Sequence, residues 1–177
     1  MDNFATGLGW ELVTEIERDR EGGVDGQLIW QGQLDVALHF IVDATSGVPY
    51  VVLTGAEEEE VRPVEERFIA HLRPLTLDAV IRDFDAADDD RDRARGVVRM
   101  GLAAPEEFHA GAFLRICETY SETDPRVRYA GLWAATYTGY QQFVDVLREI
   151  AQNDPEEYVR SRAATIVTAF TSESEEA

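Results

Sequence analysis

The chain is expected to be an α+β protein, with a small antiparallel β hairpin or meander followed by a stack of about three to four helix pairs. Three observations lead there. The apolar period changes from two to helical near residue 56. Arg62, Arg95, Arg128 and Arg160 recur at intervals of 33, 33 and 32 residues, while Ile81-Arg82, Leu114-Arg115 and Leu147-Arg148 recur every 33. The pairs Asp124-Pro125 and Asp154-Pro155 each stand where a helix should begin. Two registers sharing one period mark stacked units, each burying its apolar face against the next. The expected division is 1–55 for the β-rich segment, 56–170 for the helical units and 171–177 for a disordered acidic tail.

Residues 4–16 read two ways. Phe4, Leu8, Leu12 and Ile16 fall at helical spacing, whereas Trp10, Leu12, Thr14 and Ile16 alternate as in a strand. Gly7 and Gly9 weaken a helix, which favours a strand over 9–17. A second strand is expected around 27–31, after the glycine-rich 21–26. Leu34, Val36, Leu38, Phe40 and Val42 alternate with Asp35, Ala37, His39 and Ile41, and a further run spans Val48 to Leu53. The turn formers Asp43 to Gly47 between them make a hairpin.

From Ala56 the apolar positions Val64, Phe68, Ile69 and Leu72 share one helical face, with Glu57 to Glu60 in the first turn, Pro63 tolerated only there, and Pro74 as the stop. Thr76 is expected to cap a helix from Leu77 to Phe84, and an acidic loop leads to a helix over 91–103. Pro105 is expected to open the next helix, which runs through Tyr120. Asp124 and Asp154 cap two more with proline at the first helical position, and Thr138-Gly139 separates 127–137 from 143–151.

The blocks Asp124-Pro125-Arg126-Val127-Arg128-Tyr129-Ala130 and Asp154-Pro155-Glu156-Glu157-Tyr158-Val159-Arg160-Ser161-Arg162-Ala163 resemble the first helix of HEAT-like repeats. Aspartate and proline, then Val-Arg, then small residues carry the likeness. Asp92-Arg93-Ala94-Arg95 is a weaker copy and Val61-Arg62 an atypical end unit, so it covers about residues 57–170. The resemblance implies antiparallel helix pairs in a short right-handed solenoid, a form commonly used for protein–protein contact. HEAT-like members also bind nucleic acid or act as lyases on tetrapyrroles, so the function stays open.

Net charge is −19. A field of that sign repels phosphate and anionic lipid and speeds encounter with a basic partner; it also serves solubility. No run approaches the length of a membrane span and the N-terminus lacks secretory features, so the expected location is the cytoplasm. Cys117 has no second cysteine and sits in an apolar stretch, which points to packing.

Chemistry is sparse. His39, His71 and His109 show no metal-binding spacing, and no nucleophile elbow, phosphate loop or dinucleotide fingerprint is present. No cofactor or metal is expected. The acidic run Asp83, Asp85, Asp88, Asp89, Asp90 and Asp92 lacks the glycine and closing glutamate of a calcium loop and reads as a solvated loop. Tyr129, Trp133, Tyr137 and Tyr140 fall three and four apart; such a stripe is either core or an interface anchor, with Tyr129 and Tyr137 the better contact candidates. Arg128 is expected to pair with Asp124 and Arg160 with Glu156 one turn away, or to form a ladder with neighbouring units.

The functional expectation is a non-catalytic protein–protein interaction module for a partner with a basic surface, with no nucleic acid and no membrane. Its sharper form is an acidic inhibitor or immunity-type protein. Tyr129, Trp133, Tyr137, Tyr140, Asp88, Asp89 and Asp90 are the candidate contacts. The alternative is a HEAT-like lyase or small-ligand carrier.

Overall fold

The computed structural model describes the backbone of residues 1–33 and 35–176 and the side chains of those residues through Ser172. The fold is α+β, and the chain divides into two compact units, Met1–Pro74 and Leu75–Ala177.

The first unit begins with helix α1 (Asp2–Gly7), followed by strands β1 (Glu11–Ile16), β2 (Gly26–Gln31), β3 (Ala37–Val42) and β4 (Pro49–Thr54). The strands form an antiparallel meander in chain order. Residues 4–16 thus satisfy both periodicities in turn: Phe4 and Leu8 serve the helix and its end, and the positive φ of 74° at Gly9 turns the chain into β1. β3 starts at Ala37, so Asp35 and Val36 are not in the strand as expected; Leu34 lies outside the described residues. The β3–β4 turn is fastened by Asp43, whose carboxylate accepts from both the amide and the hydroxyl of Ser46 at 2.6 Å.

Paired positions Leu12, Trp30, Leu38 and Leu53 line up across one sheet face. Helix α2 (Glu58–Leu72) contributes Phe68 to a core shared with Phe4, Ala5, Trp30 and Leu38. Phe68 meets Phe4 edge-on, with ring centroids 5.5 Å apart. The division therefore falls at 74/75 and not at 55/56, because α2 covers the sheet. Val61-Arg62, the expected end unit of the stack, lies in that covering helix. Pro63 lies inside α2, beyond the first turn where the sequence placed it. α2 stops at Arg73, which takes the left-handed conformation ahead of Pro74.

The second unit holds α3 (Leu77–Asp85), α4 (Asp90–Ala103), α5 (Ala110–Thr119), α6 (Pro125–Thr138), α7 (Val144–Asn153) and α8 (Glu157–Glu176), with a 3-10 turn at Gln141–Phe143. They pack as the hairpins α3–α4, α5–α6 and α7–α8, and α6 packs on both α4 and α8. Asp89, Asp124 and Asp154 each accept a hydrogen bond from a backbone N–H two or three residues ahead. Asp89 and Asp124 stand just before α4 and α6, whereas Asp154 lies three residues before α8, which begins at Glu157, so Pro155 is not at its first helical position as expected. The repeated motif thus precedes the second helix of each hairpin where the sequence led us to expect the first. Pro105 does not open α5: His109 caps it, its Nδ1 accepting from the Ala112 amide at 3.1 Å. α8 continues past Phe170 to Glu176, while the side chains of the expected acidic tail beyond Ser172 and all of Ala177 are outside the described residues.

Small residues allow the helices to approach closely. A Cβ placed on Gly101 of α4 would stand 2.6 Å from both Cα and O of Ala134 on α6. Ion pairs then join one hairpin to the next. Arg115 of α5 bonds Asp85 at the end of α3 through two nitrogens, at 3.1 and 2.9 Å. Arg93 of α4 reaches Glu122 ahead of α6 at 2.7 Å. Arg128 of α6 bonds Asp154 ahead of α8 at 2.7 and 3.0 Å, with side chains only 8% and 5% exposed. The pairing one turn apart is therefore not what forms: Asp124 holds Arg126 instead. Arg128 Nη1 also donates to the carbonyls of Glu122 and Thr123, and Arg160 Nη1 likewise to those of Asp154 and Pro155. In both helices the recurring arginine reaches back five and six residues to tie down its own entry loop.

Candidate functional site

Helix α6 buries Val127, Arg128, Ala130, Gly131, Leu132, Ala134, Ala135 and Thr138. That leaves Tyr129, Trp133 and Tyr137, at i, i+4 and i+8, on the opposite, part-exposed face. The next second helix, α8, sets Tyr158 and Arg162 beside them. Tyr129 and Tyr158 have ring centroids 5.4 Å apart. The Arg162 guanidinium carbon lies 3.8 Å from the centre of the Trp133 ring, and Trp133 stacks on Tyr137 at 6.1 Å. This is a strip of four rings and one cation.

Two donors in the strip, Trp133 Nε1 and Arg162 Nε, are buried with no hydrogen-bond partner. Buried donors without acceptors are costly, by about 1–3 kcal/mol each. Tyr158 is 46% exposed. Its hydroxyl pKa is pushed up by partial burial and by Glu156, with smaller contributions from Asp124 and Asp154 against the charge of Arg128. The exposed ring thus sits in a negative field.

The acidic candidates separate. Asp89 caps α4, and Asp85 is taken by Arg115. Asp90 lies within electrostatic reach of Arg126, as does Tyr158, so the amino ends of α4, α6 and α8 stand at the same end of the unit. This brings Asp90 toward the start of the aromatic strip; Asp88 is exposed on the same loop. Among the described residues no three His, Cys, Asp or Glu side chains are placed to hold a metal ion.

Tyr140 does not belong to the strip. The left-handed Gly139, at φ 65°, ends α6 and drops Tyr140 into the core, where it is 3% exposed. Its hydroxyl is shared between the carbonyls of Pro105 and Glu107, at 2.8 and 3.0 Å. Sequence reasoning missed Tyr158 and Arg162. Each follows its α6 neighbour, Tyr129 or Trp133, at one constant offset, and that regularity was the available signal.

His39 bridges Gln27 and Thr54 across the sheet at 3.0 Å on either side. Cys117 on α5 is half-buried, and burial together with Glu118 pushes its thiol up to about 11. At pH 8 only about one thiol in a thousand is ionised, so alkylation by iodoacetamide should run hundreds of times slower than for a cysteine of ordinary pKa near 8.5. Native and urea-unfolded rates measured by mass spectrometry check this.

No helix among the described residues is long and apolar enough to cross a membrane. Compared with known protein families, curated proteins and solved structures, the chain matches none.

Proposed function

We propose that the three hairpins form a short HEAT-like solenoid that serves as a non-catalytic protein-binding module. It grips its partner through Tyr129, Trp133 and Tyr137 on α6 together with Tyr158 and Arg162 on α8. The observation that carries this reading is the strip itself: aromatic rings and an arginine held outside the core on the part-exposed face of α6 and α8. Tyr, Trp and Arg are the residues that dominate binding energy at protein interfaces. The ion pairs between successive hairpins support the reading, since they hold the strip rigid before a partner arrives. With a net charge of −19, and Asp88 and Asp90 exposed at one end of α4, the partner is a protein with a basic surface, met faster because of the opposite field. An inhibitor that covers a cationic cleft is the sharper form of the same proposal.

Capture from native-cell extract with the full chain and with a Trp133→Ala/Tyr158→Ala variant tests it. The expected result is a basic protein retained by the parent and lost from the double variant, with affinity reduced about 100-fold, two hot spots at about 1–2 kcal/mol each. Capture of the same proteins by both chains would sink the proposal.

A further inference from the structure

Between α1 and α2 of the first unit lies a groove of about 370 Å³, well away in sequence from the aromatic strip and independent of its reading. That volume lies within the range of small-ligand sites. Its apolar lining is Phe4, Leu8 and Ala70, backed by the Phe4–Phe68 ring pair. Its polar lining is Asn3, Arg67 and His71.

The charge of this lining departs from the rest of the molecule. In a chain with 35 acidic and 16 basic residues, the groove is bordered by an arginine and a histidine and by no carboxylate. Arg67 and His71 stand at i and i+4, so both project from one face of α2. Among the described residues Arg67 makes no ion pair or hydrogen bond, while His71 approaches the Phe4 ring at 5.9 Å. Gly7 also lines the groove, and a Cβ there would meet nothing within 4 Å, so the space beside it is open.

We propose that this groove is a binding site for a small carboxylate with an apolar tail. The tail lies along Phe4 and Leu8, and the carboxylate takes the two N–H groups of the Arg67 fork, with Asn3 and His71 as further hydrogen-bonding groups.

The probe is 4-phenylbutyrate, with its neutral amide and inorganic phosphate as comparisons, followed by amide NMR of the full chain. Phenylbutyrate should give saturable shifts at Leu8, Arg67 and His71. The neutral amide, and the Arg67→Ser variant with phenylbutyrate, should each bind at least about tenfold more weakly, and Gly7→Phe, which fills the open space, should abolish the shifts. Both substitutions are exposed, and unchanged resonances in the sheet and in the second unit would show that the fold is intact. No saturable shift, equal binding of the amide, or binding of phosphate as tight as that of phenylbutyrate would each overturn the proposal.

Discussion

Asp154→Ala is expected to lower stability by about 3–5 kcal/mol, because it strands the Arg128 guanidinium, 8% exposed, without its counter-charge. It also removes the acceptor of the Glu156 amide at the start of α8. Replacing both partners, as Arg128→Met/Asp154→Leu, should recover part of the loss. Recovery is incomplete because Arg128 also serves the Glu122 and Thr123 carbonyls. The pair has a pH signature. Burial alone would raise the Asp154 pKa, but the Arg128 hydrogen bonds, the Glu156 amide and the charges of Arg128 and Arg160 hold it below 3.8. A depressed carboxylate stabilises the fold at pH above its unfolded value and loses that contribution as pH falls through the folded one. Urea unfolding should therefore show the gap between parent and Asp154→Ala in full at pH 7 and narrowing below pH 3.8. A gap that stays constant down to the acid limit would contradict this account of the pair.

Gly101→Val is the second large effect. On helix propensity alone, replacing Gly101, in the last turn of α4, by alanine would gain at most about 1 kcal/mol. Here sterics decide the sign. Even a bare Cβ would stand 2.6 Å from the Ala134 backbone, and backbone cannot rotate away as a side-chain tip can. Either α4 and α6 separate or both bend, at a cost of about 3 kcal/mol or more for valine, the upper end of overpacking. Gly101→Ala should be intermediate. Chemical denaturation of the three chains gives the order directly; a valine variant as stable as the parent would mean that the helices do not cross so closely.

Much of the architecture was legible because its causes are local. The alternation over 34–42, the run over 48–53, the aspartate cap at Asp124 and the glycine at the end of α6 each act within a few residues, and they place β3 at 37–42, β4 at 49–54 and α6 at 125–138, close to where expected. The failures share another cause. Nothing near α2 says that Phe68 will meet Phe4 across the unit, so its membership of the sheet unit was hidden. For Arg128 the sequence offers both partners, an acid four residues before it and a ladder acid in the neighbouring unit, and the second forms. Helical spacing favours the nearer, yet the enclosed geometry at Asp154 wins because two hydrogen bonds form there away from water. Of the site, the α6 half was visible as a stripe of rings. The α8 half required knowing which helix would lie alongside, and Tyr140 could not be told from its neighbours without the turn at Gly139.

The order of the sheet has a kinetic consequence. Each strand pairs only with its neighbour along the chain, so no long loop must close before the first contacts form. The sheet should assemble early, at the rate of local hairpins, and its core is completed as soon as Phe68 is available. During synthesis the first unit can thus be finished while the second is still emerging from the ribosome, although Leu12, Val13 and Ile16 of the edge strand stay exposed in the finished unit.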